Sequence, residues 1–129
     1  MKIYVADAVA FLYYLLDKLP PAADHVFRAA ERGEALIYLP TIAAAELYYL
    51  FERKSWMSKW RELVSRIQDL PGFAFYPFDE EILLALETVP LRELHDKIIV
   101  ATAKVLKAEA LLTKDKAITK SKEVPTIWK

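Results

Sequence analysis

The chain has 129 residues, 55% of them hydrophobic and only two of them glycine, which fits one densely packed domain over residues 1–129 and excludes a disordered or loop-rich chain. Eighteen basic residues balance eighteen acidic ones, so overall charge carries no signature of nucleic-acid binding, and the lack of cysteine excludes a disulfide scaffold and any thiolate metal site. The longest uncharged run, the 11 residues Ala35 to Ala45, contains Pro40 and is too short to span a membrane; with Asp7 interrupting any leader-like apolar segment, the expectation is a soluble cytoplasmic protein.

Residues 2–6 are β-prone, and the apolar run Ala8 to Leu16 behind them predicts a helix that stops before Pro20 and Pro21. Ala22 to Arg32 has helical spacing at Val26, Ala29 and Ala30, with Gly33 placed as a C-terminal cap. Ala35 to Leu39 reads as a second strand. Pro40-Thr41 opens a helix to about Arg53 with Thr41 as the expected N-cap, and another helix is expected from about Ser55 to Asp69. Pro71-Gly72 turns the chain into a third strand, Phe73 to Tyr76, and Asp79 caps a helix Glu80 to Glu87. A helix from about Leu94 to Lys107, a strand Ala110 to Thr113, a turn or short helix from Asp115 and a strand around Thr126 to Trp128 complete the order. All seven prolines fall between predicted elements, and the alternation of short apolar strands with helices is that of an α/β domain around a mostly parallel sheet.

Local charge differs from the overall balance. Residues 52–66 carry five basic against two acidic residues, and residues 113–129 do the same, a local +3 in each case that suits either phosphate contacts or a solvated helix face or tail. The absence of Asn and the single Gln lean toward a thermophilic source.

Four acids stand alone in apolar surroundings: Asp7 after Ile3-Tyr4-Val5-Ala6, Glu46 within Ile42 to Phe51, Asp96 before Ile98-Ile99-Val100-Ala101, and Asp115 after Ala110-Leu111-Leu112-Thr113. Burying an ionised carboxylate costs several kcal/mol or more unless a counter-charge offsets it, on the order of the penalty known for such groups. Each has a plain structural alternative. Asp7 and Asp96 are placed to cap helices and Asp115 to occupy a turn, whereas Glu46 has no local explanation. Their joint placement says more, because all four follow strand ends or lie in the first turns of the next helices, the edge of a parallel sheet where functional groups collect. Crowded carboxylates raise one another's pKa, and Mg²⁺ or Mn²⁺ turns that crowding into a hard-oxygen binding site able to activate water against a phosphodiester.

At these residues the chain resembles the PIN-domain ribonucleases of the VapC toxin kind. The resemblance runs from Ile3-Tyr4-Val5-Ala6-Asp7 through Ala45-Glu46-Leu47 to His95-Asp96-Lys97-Ile98-Ile99-Val100-Ala101-Thr102-Ala103 and Leu111-Leu112-Thr113-Lys114-Asp115. It implies a three-layer α/β/α sandwich and a metal-dependent endoribonuclease acting on single-stranded RNA, the toxin of a toxin–antitoxin pair. Asp7, Glu46, Asp96 and Asp115 would be the catalytic, Mg²⁺- or Mn²⁺-binding residues, with Thr113 a secondary hydroxyl. It further implies a homodimer and a cognate antitoxin, for which the aromatics Tyr48, Tyr49, Phe51, Trp56 and Trp60 offer a surface. The family usually places a small hydroxyl residue within two positions of the first Asp, and Ala8-Val9 here removes a hydrogen bond that would orient a carboxylate or phosphate. Two other readings stand beside this one. One is a PIN-like scaffold or interaction module with little turnover. The other is a phosphoryl-transfer domain, against which Val9 stands where an aspartyl phosphatase needs a second Asp, and a receiver's early acid pair is missing. His25 reads as a surface residue, His95 as a supporting or packing residue, and Tyr13 and Tyr14 as core or rim.

Overall fold

A computed structural model describes residues 1–129 and shows five strands, all parallel, in one sheet of order β3-β2-β1-β4-β5, where β1 is Lys2–Ala6, β2 Ala35–Pro40, β3 Phe73–Tyr76, β4 Ala110–Leu112 and β5 Thr126–Ile127. Tyr4, Val5 and Ala6 of β1 and Ala110, Leu111 and Leu112 of β4 are all buried, so the central strands are covered on both faces. That is why they read as continuous apolar runs rather than alternating ones. The helices α1 (Ala8–Leu15), α2 (Pro21–Glu31), α3 (Thr41–Arg53), α4 (Met57–Asp69), α5 (Glu80–Ala85), α6 (Leu94–Val105) and α7 (Lys116–Ser121) complete an α/β/α sandwich. No helix is long and apolar enough to cross a membrane.

The chain leaves β1 toward β2 on one side, while β4 pairs with β1 on the other, with Ala6 opposite Leu112. The carboxyl ends of β1 and β4 therefore border the crevice where the strand order reverses, the usual binding position in open parallel sheets. An aromatic cluster of Phe11, Tyr14, Phe27 and Phe73 locks α1 and α2 against β3, with the Tyr14–Phe27 rings 4.7 Å apart and Phe11–Phe27 5.2 Å apart. The Tyr14 hydroxyl donates to Glu31 Oε2 at 2.6 Å, and the Arg66 guanidinium lies 4.9 Å from the Tyr14 ring centre. This cluster fixes the helix that follows Asp7.

Two glycines answer to backbone demands. Gly33 ends α2 at φ +77°, and a Cβ on Gly72 would lie 2.1 Å from the Ala30 carbonyl oxygen. Several expected boundaries are corrected. Thr41 is not an N-cap: β2 runs through Pro40 directly into α3, and the Thr41 hydroxyl instead accepts from Phe78 N at 3.3 Å. α4 begins at Met57 because Ser55 turns the chain at φ 57°, and α6 ends at Val105, shortly before Lys107 takes φ 53°. The helix capped by Asp79 ends at Ala85 and continues as a 3-10 turn, Leu86–Thr88. Pro21 opens α2 and Pro40 closes β2, so these two prolines lie at element ends rather than between elements.

Candidate active site

A cleft of about 610 Å³ opens at the carboxyl edge of the sheet, and Asp7, Glu46, Asp96 and Asp115 all line it. Four separate elements deliver them. Asp7 leaves β1 with its N–H donating to Leu112 O at 3.3 Å, and its Oδ1 accepts from Ala10 N at 2.9 Å to cap α1. Asp115 does the same for α7, accepting from Ile118 N at 2.9 Å. Its own N–H donates to the Thr113 hydroxyl oxygen at 3.0 Å, and that threonine is buried. The capping alternative for Asp7 is thus real, and Asp115, read as a turn residue, caps a helix as well, but each cap engages only Oδ1.

Asp96 is at the third position of α6 and does not cap it. Glu93 does, with Oε1 accepting from His95 N and Oε2 from Asp96 N, both at 2.9 Å. Relieved of that task, the Asp96 carboxylate faces the cleft together with Ile99, while Ile98, Val100 and Ala101 are buried. Glu46 is on the exposed side of α3, opposite the buried Ala43, Ala44, Leu47 and Phe51. Its helix is therefore amphipathic rather than apolar all round, with Ala45, Tyr48, Tyr49 and Glu52 also exposed.

No lysine, arginine or histidine forms a salt bridge with any of the four. Burial pushes the Asp96 carboxyl up to about 6, with further upward pushes from the charges of Asp115, Glu93, Asp7 and Glu46. Burial likewise raises Asp7, against the Thr113 hydroxyl and Ala10 N–H that lower it, and raises Glu46, against the partial relief of His95. The cleft therefore concentrates negative charge, and none of its four acids is ion-paired. In chemical kind, four carboxylates suit a hard divalent cation. No three acidic or histidine side chains already stand in position around one ion, so loading requires side-chain rotation about backbones that are fixed by the caps.

Sequence reading missed Glu93 and did not place His95, Lys114 and Tyr13 in the cleft. Glu93 is an unusual N-cap, since shorter Ser, Thr, Asp and Asn dominate there, and nothing local marked it. His95 is exposed in the cleft with Nδ1 2.8 Å from Glu93 Oε1, not packed in the core, and that hydrogen bond, with the charges of Glu46, Glu93 and Asp96, raises its pKa. Lys114 and its partner Tyr13 also line the cleft, with Nζ donating to the Tyr13 hydroxyl at 3.0 Å. Ala8 and Val9 also line the cleft, so no hydroxyl stands directly after Asp7. Tyr14 is core and His25 is exposed, as expected. Of the α3–α4 aromatics, Tyr48, Tyr49 and Trp56 are exposed, Trp60 is half-buried and Phe51 is wholly buried in the core.

Residues 4–123 match the profile of the PIN domain family. No curated protein sequence matches the chain significantly. Among solved structures, VapBC2 of Rickettsia felis bound to a promoter DNA fragment superposes with TM-score 0.76 at 14% identity, covering 98% of this chain and 99% of that one. A toxin–antitoxin complex of Klebsiella pneumoniae gives 0.66 at 18% identity, covering 96% and 95%. VapC20 of Mycobacterium tuberculosis, a toxin that cleaves the sarcin–ricin loop, gives 0.68 at 10% identity, covering 96% and 99%. At these identities the likeness is one of fold.

Proposed function

The chain belongs to the PIN domain family, and from that premise we propose that it is a metal-dependent endoribonuclease that hydrolyses phosphodiester bonds of single-stranded RNA. The observation that carries this reading is the convergence of Asp7, Glu46, Asp96 and Asp115 from four separate elements on one cleft. Four carboxylates that make no ion pair within the protein form an anionic cleft, and cations between them and a polyanionic substrate favour its approach. Asp7, Glu46, Asp96 and Asp115 are the residues that would hold Mg²⁺ or Mn²⁺. Bound there, the ion supplies charge neutralisation at the phosphodiester and activation of water for in-line attack.

The remaining work falls to the chain itself. Asp7 and Asp115 are each held by Oδ1 to the α1 and α7 N-termini, which fixes their backbones and leaves the second oxygen outside the cap. Thr113 sets the Asp115 backbone. Glu93 holds His95 and fixes the first turn of α6, on which Asp96 depends. The apolar wall of Ala8, Val9, Leu12 and Ile99 keeps bulk water from that side of the reacting phosphate.

In the same reading the protein is a toxin-type nuclease, a homodimer restrained by a cognate antitoxin that covers the exposed Tyr48, Tyr49 and Trp56 on and beside the helix bearing Glu46. One structural neighbour is a toxin–antitoxin complex and another a toxin that cleaves the sarcin–ricin loop. The test is cleavage of single-stranded RNA by the purified protein with Mn²⁺. Activity that EDTA and Asp96→Asn both abolish, with the fold intact, supports the nuclease. A folded wild-type protein inert toward varied RNAs at saturating Mn²⁺ would leave the scaffold reading in its place.

A further inference from the structure

Lys114 is the one lysine or arginine that lines the acidic cleft, yet it pairs with none of the acids around it. Its Nζ donates instead to a neutral phenol, the Tyr13 hydroxyl, at 3.0 Å and lies 4.9 Å from that ring's centre. The two residues are 101 positions apart in sequence, so the contact is made by the fold and not by a local turn. Tyr13 in turn meets Trp128 edge-on at 5.5 Å, which gives a small aromatic ledge at the cleft wall formed from α1 and the residue after β5. The Lys114 backbone is fixed on both sides, by buried Thr113 before it and by the capping Asp115 after it. A cation held in place without an ion-pair partner is poised for an anion from outside.

We propose that Lys114 and Tyr13 form a substrate subsite of this cleft, in which the ammonium holds a phosphate of the RNA strand next to the scissile one and the Tyr13 face takes an adjoining base. This rests on the ribonuclease reading above and extends it by naming how the strand is aligned. Such a pair combines the two elements that single-strand binders use, a fixed cation on the backbone and an aromatic face for an unstacked base. The Tyr13 hydroxyl restrains a flexible lysine stem that would otherwise lose side-chain entropy on binding. The subsite is sequence-tolerant by construction, because every base presents a π face and every nucleotide a phosphate.

The experiment measures binding of a short fluorescein-labelled single-stranded RNA of mixed sequence by fluorescence anisotropy, with Ca²⁺ in place of Mn²⁺ to slow cleavage, across a salt series. Wild type, Lys114→Gln, Lys114→Arg, Tyr13→Leu and the control Lys2→Gln, at the far end of β1, are compared after thermal melts establish that each is folded. Lys114→Gln is expected to weaken binding about tenfold and to reduce the salt slope by about 0.7, the loss of one phosphate contact on a single strand. Lys114→Arg restores both, and Tyr13→Leu weakens binding about tenfold with little change in slope. Binding by Lys114→Gln equal to that of Lys2→Gln, or a loss that arginine does not rescue, overturns the subsite while leaving the ribonuclease intact. Wild-type protein that neither binds nor cleaves RNA overturns the ribonuclease reading itself, and the subsite with it.

Discussion

Replacing Asp96 by Asn is predicted to stabilise the metal-free protein at neutral pH, although the change removes a residue proposed to be essential. The folded-state carboxyl is pushed up to about 6 from the ordinary 3.8, first by burial and then by the surrounding acids, and no hydrogen bond lowers it. A raised carboxyl costs nothing below the unfolded value, where both states are protonated; the penalty grows as pH rises from about 4 to 6 and is complete above that. Two pKa units correspond to about 3 kcal/mol before screening, and solvent around this half-exposed side chain reduces the net figure to about 1 kcal/mol. For a chain of this size that is a rise in Tm of about 3–5 °C in EDTA at pH 7.5, shrinking toward zero at pH 4. Mn²⁺ should reverse the order. Wild type gains about 2.7 kcal/mol at a hundredfold excess over Kd, whereas Asp96→Asn gains far less. Differential scanning calorimetry with EDTA and with Mn²⁺ reads both effects. An Asn variant less stable than wild type in EDTA at pH 7.5, or one stabilised by Mn²⁺ as much as wild type, would refute the claim that repulsion among these acids is relieved by a cation.

Three further outcomes follow from the same geometry. Mn²⁺ affinity measured by titration calorimetry should fall by up to about tenfold per pH unit below 6, because the raised Asp96 carboxyl must shed its proton to bind; an affinity flat from pH 7 to 5 would count against its ligand role. Glu93→Ala removes the acceptor for two backbone N–H groups and should cost about 1–2 kcal/mol in urea denaturation, with Glu93→Asp recovering part of it; no loss would mean that α6 needs no cap. Gly72→Ala drives a methyl group to within 2.1 Å of the Ala30 carbonyl oxygen and 2.5 Å of that of Ala35, so a loss of at least about 3 kcal/mol or outright misfolding is expected, and an unchanged Tm would contradict the close approach described.

Residue patterns carried much of the architecture. The strand segments were readable because a sheet covered on both faces needs uninterrupted apolar runs, and Asp7 and Asp115 stood out as charges placed where those runs end. Glu46 stood out for a weaker reason, since its helix is amphipathic, and the exposure of its face became evident only from the packing of Leu47 and Phe51. Strand order was not encoded in any local pattern, and it is the pairing of β1 with both β2 and β4 that brings residues 7 and 115 side by side. Glu93 escaped notice because its significance is a cap geometry, formed by a side chain seldom used for it, and without Glu93 the sequence left His95 open between a supporting and a packing role. Lys114 was counted among the charges of a basic terminal segment. Only the fold shows it tied to Tyr13 at the cleft.

The central claim is that the side chains of residues 7, 46, 96 and 115 close around a common divalent ion. Anomalous diffraction from crystals grown with Mn²⁺ tests it most directly. The account predicts a manganese peak in the cleft with carboxylate oxygens of Asp7 and Asp96 at about 2.1–2.3 Å, and those of Asp115 and Glu46 bound directly or through one water. Manganese density elsewhere, or a cleft that stays free of the ion at saturating concentration, would contradict it.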